Sequence, residues 1–163
     1  MALSFENRLK YYQKYLDNIT PSDFDVKLEG KNIIVSLPDI NESIYNRNEM
    51  PQIRKKNLPF VISDLFNSGI GLSYGKILPH RCKPLQKQIY KSKMMDVVNT
   101  LLDKGTGTVK PIIISGDNYI IDGHHRWGAF LTKFPNHPVN FVRIKKPKHT
   151  ALNIYNKMSE RYD

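Results

Sequence analysis

The sequence has few of the residues that stabilise secreted or metal-bound domains. Cys82 is its one cysteine, which excludes an internal disulfide framework and a cysteine-based zinc site. No apolar run approaches the ~20 residues that span a bilayer, and residues 1–7 lack a signal-peptide pattern. These absences predict a cytoplasmic protein with no membrane partner.

Acidic residues are also scarce. The chain has 15 Asp and Glu against 25 Lys and Arg, which gives a formal net charge of +10. This excess predicts a polyanionic partner such as DNA, a nucleotide or an acidic surface, although a solvated basic surface gives the same count. The candidate nucleic-acid-binding residues lie at the end of the last predicted strand and just after it: Arg143, Lys145, Lys146 and Lys148.

The length of the chain limits it to one main domain. With 163 residues, 40% of them hydrophobic, it can form one core and an extension but not two large domains. Residues 1–50 are predicted to be an N-terminal extension with an amphipathic helix over 5–16 and a β-hairpin over 26–37. Residues 51–163 then form the main domain with its C-terminal helix.

Apolar residues alternate between helix and strand periodicity along the main domain. The pattern predicts helices over 57–69, 84–103, 124–134 and 150–162, and strands over 70–77, 111–115, 119–121 and 138–144. This order predicts an α/β or α+β domain in which helices flank a mixed sheet, with the apolar strand 111–115 at its centre.

One predicted strand-to-helix junction combines an acid, a glycine, two histidines and an arginine. The first turn of a helix has unpaired N–H groups and the positive end of the helix dipole, so it attracts anions. Gly123 lets a phosphate approach the backbone closely, and the guanidinium of Arg126 can donate two hydrogen bonds to phosphate oxygens. The predicted phosphate-binding residues of the junction are Gly123, His124, His125 and Arg126.

The same junction contains the candidates for catalysis. Histidine exchanges protons near neutral pH, so His124 or His125 is predicted to act as general acid or base. Asp122 is predicted to orient a histidine or to bind Mg²⁺ or Mn²⁺. A structural interpretation remains open, in which Asp122 caps the helix and both histidines are exposed polar residues of its first turn.

These residues also carry a resemblance to a known family. The segment Gly123–Ala129, with Arg126 at its fourth position, fits the G-x-x-R-x-x-A box of the ParB/sulfiredoxin superfamily. Its Asp-Gly-His-His-Arg form resembles the ParB-like nuclease and small-molecule kinase branches. The segment from Ile77 to Gln86 is similar to the first box of the family, and the resemblance covers roughly residues 70–145.

The resemblance implies a ParB/sulfiredoxin-like fold and a nucleotide ligand. In the family, the loop after the first box faces the second box across the ligand site, which implies that His80, Arg81 and Gln86 lie near the phosphate-binding loop. ATP, ADP and CTP are the candidate nucleotides, with Mg²⁺ or Mn²⁺ as the candidate metal ion.

Three functions are compatible with this resemblance. The first is a ParB-like nuclease or phosphohydrolase, which the basic composition favours. The second is an ATP- or ADP-dependent kinase of a small hydroxyl compound. Relatives of this kind commonly have an acid after the first-box histidine, whereas Arg81 follows His80 in this chain, so Asp64, Asp122 or another acid would have to replace it. The third is a nucleotide- or DNA-binding module without turnover.

Two related functions are disfavoured. The reactive cysteine of a sulfiredoxin would stand where His124 is, whereas Cys82 lies elsewhere. A partition protein would continue into a helix-turn-helix DNA reader, and the segment between the second box and Asp163 is too short for one.

Overall fold

A computed structural model gives the fold of the chain and describes residues 26–29, 32–36, 55–86 and 88–162. We number the elements in chain order. The eight strands are β1 (Val26–Glu29), β2 (Asn32–Ser36), β3 (Leu72–Ile77), β4 (Lys83–Pro84), β5 (Gln88–Tyr90), β6 (Ile112–Ser115), β7 (Tyr119–Asp122) and β8 (Val139–Ile144). The four α-helices are α1 (Leu58–Asn67), α2 (Lys91–Lys104), α3 (His124–Lys133) and α4 (Lys148–Ser159).

Five strands form a mixed sheet in the order β3-β8-β6-β7-β4. Strand β6 pairs parallel to β8 and antiparallel to β7, while β3 pairs antiparallel to β8 and β4 parallel to β7. Strand β6 has no exposed side chain, which is typical of a strand covered on both faces. The predicted mixed sheet and its central strand 111–115 are therefore confirmed.

Helices cover both faces of this sheet. Helices α2 and α3 pack on one face, against residues that include Ile112, Ile114 and Ile120. Helices α1 and α4 pack on the other face, against Ile113 and Ile121 among others. The predicted α/β class is confirmed, and α3 and α4 lie on opposite sides of strand β7.

A second, three-stranded sheet has the order β1-β2-β5. Strand β2 pairs antiparallel with both β1 and β5. The predicted helix over residues 5–16 lies outside the described residues, so the N-terminal extension as a whole stays a prediction.

The predicted start of the helix over 84–103 is wrong. Helix α2 begins at Lys91, and the residues before it are extended in β4 and β5. Leu85 and Ile89 are buried as the helical pattern required, but Leu85 follows β4 and Ile89 lies in β5, so neither is part of a helix. The reason is tertiary, because β5 pairs with the distant strand β2.

No helix in the described part of the chain is long and apolar enough to cross a membrane.

Candidate functional site

Gly123 forms the connection between β7 and α3. Its φ is 102° and its ψ 28°, a left-handed conformation that glycine adopts without steric strain. A Cβ atom at this position would lie 2.9 Å from Cγ2 of Ile112 and 2.8 Å from Nη2 of Arg126. The guanidinium of Arg126 therefore folds back directly over the Gly123 backbone, and the close approach requires glycine.

Arg126 is almost fully buried, with 8% of its surface exposed. Its Nη2 donates a hydrogen bond to the carbonyl oxygen of Pro111 at 3.3 Å and lies 4.0 Å from Oδ1 of Asp122. Its buried Nε has no hydrogen-bond partner among the described residues. Buried polar groups normally have partners, so this cation keeps unused donor capacity beside the N-terminus of α3.

Two features of the first turn of α3 also favour an anion. No side chain caps the helix, and no acidic residue lies in its first turn. The positive end of the helix dipole therefore adds to the charge of Arg126.

Asp122 is held from the opposite side of the sheet by helix α4. The hydroxyl of Tyr155 donates a hydrogen bond of 2.7 Å to Oδ2 of Asp122. Tyr155 is fully buried. Its burial is the main reason that the pKa of its hydroxyl lies well above the usual range, and the negative charge of the neighbouring Asp122 adds to the shift. This contact leaves Oδ1 of Asp122 on the side of Arg126.

His124 is buried, with 3% of its surface exposed. Its Nε2 accepts hydrogen bonds from the backbone N–H groups of Leu85 and Gln86, each at 3.1 Å. Burial, and to a smaller degree the charges of His125 and Arg126, lowers the pKa of His124 to about 3. The imidazole is therefore neutral near pH 7, with its proton on Nδ1.

His125 is partly buried and makes the same kind of contact. Its Nε2 accepts a hydrogen bond of 2.9 Å from the backbone N–H of Tyr90, and the two rings stack with centroids 6.2 Å apart. His124 and His125 thus connect the start of α3 to Leu85, Gln86 and Tyr90, which lie before α2. In the alternative interpretation, both histidines are exposed residues of the first turn. That interpretation is wrong for His124, which is buried and accepts hydrogen bonds from backbone N–H groups.

Trp127 connects α3 to the segment resembling the first family box. Its ring is buried, and its Nε1 donates a hydrogen bond of 2.9 Å to the carbonyl oxygen of Pro79. Gln86 is buried beside His124. The side chains of His80 and Arg81 make no hydrogen bond or ion pair with any described residue, so no such contact joins them to the loop.

The predicted nucleic-acid-binding residues lie at the other end of β7. Arg143, Lys145 and Lys146 line a cavity of about 450 Å³, together with Gly116, Asp117 and Pro147. Lys148 follows at the start of α4, where its Nζ lies 4.2 Å from the ring centroid of Tyr119. We call this cavity and Lys148 the basic groove.

The thiol of Cys82 is not activated for chemistry. Cys82 is buried, and burial raises the pKa of its thiol to about 12, although nearby Arg143 opposes the shift. A thiol in this state is a poor nucleophile. Within the described ranges, no group of three or more His, Cys, Asp or Glu residues gathers around a possible metal site.

The sequence pattern did not single out Tyr155 as a site residue. It lies on the apolar face predicted for the last helix, and a buried tyrosine hydroxyl usually has a partner. That signal indicates that a partner exists, but it does not identify Asp122.

Comparisons with protein-family models, curated proteins and solved structures found no match to this chain. They therefore neither support nor contradict the resemblance to the ParB/sulfiredoxin superfamily.

Proposed function

We propose that the segment Asp122–Arg126 binds a phosphate group of a nucleotide or nucleic acid, and that the protein is a phosphodiesterase or phosphohydrolase resembling ParB-like nucleases. The observation that carries this proposal is the buried guanidinium of Arg126, whose Nε has no partner among the described residues. It lies over Gly123, at a helix N-terminus without a capping side chain. A phosphate oxygen is the group that this donor set fits best.

The histidines support binding in an indirect way. Because Nε2 of His124 and Nε2 of His125 both accept backbone hydrogen bonds, these atoms are already used. A pKa of about 3 also leaves His124 uncharged near neutrality, which makes it a weak candidate for the general acid. We assign both histidines a positioning role, in which they fix the start of α3 against residues 85–90.

Asp122 is then the best candidate for the chemical step. The hydrogen bond from Tyr155 fixes Oδ2, and Oδ1 lies beside the proposed phosphate position. In hydrolysis, a water oxygen would bond to phosphorus while the bond from phosphorus to the leaving oxygen breaks. Asp122 would take the proton of the attacking water, solvent would protonate the leaving oxygen, and Arg126 would stabilise the charge on the phosphoryl oxygens.

Asp122 is also the residue that would hold Mg²⁺ or Mn²⁺. Such ions commonly use one or two protein carboxylates and complete their coordination with substrate phosphates and water. When bound, the ion would neutralise phosphate charge, and Asp122 would orient it rather than act as base. Chelation with EDTA separates these two roles.

A second candidate function is phosphoryl transfer from ATP or ADP to a small hydroxyl compound. The carboxylate of Asp122 beside Arg126 favours it, because such transfer uses a positioned carboxylate as base. Asp64 does not fit this role, because its carboxylate pairs with Arg161 at 3.7 Å, away from the loop.

A plasmid-nicking assay with Mg²⁺ or Mn²⁺ tests the proposal. The wild type should nick supercoiled plasmid, Asp122→Asn and Arg126→Ala should not, and the control Asp103→Asn, at an exposed position of α2 away from both sites, should nick normally. Nicking that persists in Asp122→Asn contradicts the assignment. If the wild type does not nick but consumes ATP or ADP when a hydroxyl compound is added, the kinase function replaces the hydrolase.

A further inference from the structure

The basic groove has a backbone that is fixed by hydrogen bonds between separate segments. The N–H of Gly116 donates to the carbonyl oxygen of Lys146 at 2.8 Å, and the N–H of Lys145 donates to that of Gly71 at 3.0 Å. A Cβ atom at position 116 would lie 3.2 Å from the Lys146 oxygen, so the turn and the β8–α4 connection approach as closely as glycine allows. The groove is a preformed surface.

The cations of the groove have little internal compensation. Among the described residues, Arg143, Lys145, Lys146 and Lys148 form no ion pair with a carboxylate. Asp117 is the one acid in the lining, and its Oδ1 already accepts a hydrogen bond from the hydroxyl of Ser115. Lys145 and Lys146 are exposed, so their charge is available to a partner.

Two further features favour an anion in the basic groove. Nη2 of Arg143 donates to Oδ1 of Asn118 at 2.8 Å, while its buried Nε has no partner within the described residues. Helix α4 starts at this groove with Pro147 before it, without a capping side chain and without an acid in its first turn. Both features favour a negatively charged partner.

The aromatic rings of this region are covered by cations. Lys83 and Lys148 lie 5.0 and 4.2 Å from the ring centroid of Tyr119, and the guanidinium carbon of Arg143 lies 4.6 Å from that of Phe141. Proteins that bind single strands stack bases on open aromatic faces. Rings covered in this way do not offer such a platform, so phosphate contacts to a duplex fit the groove better than contacts to unpaired bases.

We propose that the basic groove binds the phosphate backbone of double-stranded nucleic acid without regard to sequence. The groove is separate from the phosphate site at Asp122–Arg126, because the two lie at opposite ends of β7. Three residue steps along the strand place them ~10 Å apart or more. A duplex bound in the groove would be held by charge, independently of any turnover at Asp122.

The test is fluorescence anisotropy of a labelled DNA duplex over a salt series. Neutralising two exposed lysines in Lys145→Gln/Lys146→Gln should lower the affinity at least about tenfold and reduce the slope of log K against log salt by roughly 1.8. The matched control is Lys56→Gln/Lys110→Gln, which removes the same charge from two exposed lysines outside the groove. That control should bind the duplex within about twofold of the wild type.

Several results would overturn the groove assignment. Equal losses in both double variants would mean that net charge alone drives binding, and no loss in either would mean that the duplex binds elsewhere or not at all. Tighter binding of the matching single strand than of the duplex would also contradict it. Thermal unfolding of each variant verifies that lost binding does not reflect lost structure.

The same assay separates this inference from the proposed function. Arg126→Ala should weaken duplex binding less than Lys145→Gln/Lys146→Gln does, whereas Lys145→Gln/Lys146→Gln should leave nucleotide binding at Arg126 unchanged. If Arg126→Ala alone abolishes duplex binding, the groove assignment is wrong and the phosphate site at the loop stands. If nucleotide binding is absent but the groove variants behave as expected, the proposed function fails and the groove assignment stands.

Discussion

Positively charged side chains lie at both ends of strand β7, and they differ in burial. At its C-terminal end Arg126 is 8% exposed and contacts backbone, whereas at its N-terminal end Lys145 and Lys146 are exposed. A buried cation is held in one geometry and can select a ligand by shape, while exposed lysines attract any polyanion over a longer range. The proposed phosphate site and the proposed duplex site therefore differ in the burial of their positive charge.

The largest loss of stability should come from a cavity in the core at Trp127. Trp127→Ala removes a ring that is 1% exposed and a hydrogen bond to Pro79, so it should lower the free energy of unfolding by about 3–5 kcal/mol. Urea denaturation measures the change. Trp127→Phe keeps most of the volume and should lose less, and an equal loss in both variants would contradict a cavity effect.

The next effect should come from Gly123. Gly123→Ala should lower stability by roughly 2–5 kcal/mol, because it combines a left-handed conformation with contacts to Ile112 and Arg126. Gly69→Ala is the control, since Gly69 has a φ of 76° but no atom within 4 Å of its added Cβ. It should lose only about 1–2 kcal/mol. Equal losses at both positions would show that Arg126 does not lie tightly over Gly123.

A pH dependence should follow from the burial of neutral His124. Its pKa is about 3 in the folded protein against 6.5 for an unperturbed histidine, so the unfolded chain binds the proton more readily. The stability that this residue contributes is complete above about pH 6.5 and is lost as the pH falls toward 3, with a slope of up to about 1.4 kcal/mol per pH unit.

Denaturation at several pH values measures this slope. His124→Gln should flatten it, and His149→Gln, at an exposed position, should not. If the free energy of unfolding of His124→Gln depends on pH as steeply as that of the wild type, His124 is not the source of the acid sensitivity.

The smallest change in stability should follow from replacing the exposed lysines Lys145 and Lys146. Lys145→Gln/Lys146→Gln should change the free energy of unfolding by less than about 0.5 kcal/mol, since both side chains are exposed and form no ion pair with a described residue. A loss above about 1 kcal/mol would show that these lysines support the fold, and the distinction between the two ends of β7 would weaken.

Local periodicity was sufficient to predict the helices and four of the five strands of the mixed sheet, but it did not predict strand β4 or the start of α2. The apolar residues Leu85 and Ile89 follow helical spacing, yet both precede α2: Leu85 follows β4, and Ile89 lies in β5. Pairing of β5 with β2 and the hydrogen bond from Tyr90 to His125 stabilise that conformation. Contacts between residues far apart in sequence decided it, and no local pattern contains them.

The sequence was sufficient to propose a candidate site, but it did not predict the contacts within that site. Glycine, arginine and a helix start at one junction predict an anion site, and that function stays a prediction. The burial of His124 depends on Leu85 and Gln86, and the partner of Asp122 is Tyr155 on another helix. Both facts require the assembled tertiary structure.

The most direct test of the phosphate site is isothermal titration of ATP, ADP and CTP into the wild type, Arg126→Lys and Arg126→Ala. Arg126→Ala should weaken binding by roughly 10- to 150-fold, as expected for the loss of hydrogen bonds to a charged group. Arg126→Lys keeps the charge without the forked donors and should fall between them. The control Arg161→Ala, whose side chain is 62% exposed, should bind like the wild type. Unchanged binding in folded Arg126→Ala, or no binding of any nucleotide by the wild type, would contradict the assignment of Asp122–Arg126 as a nucleotide phosphate site.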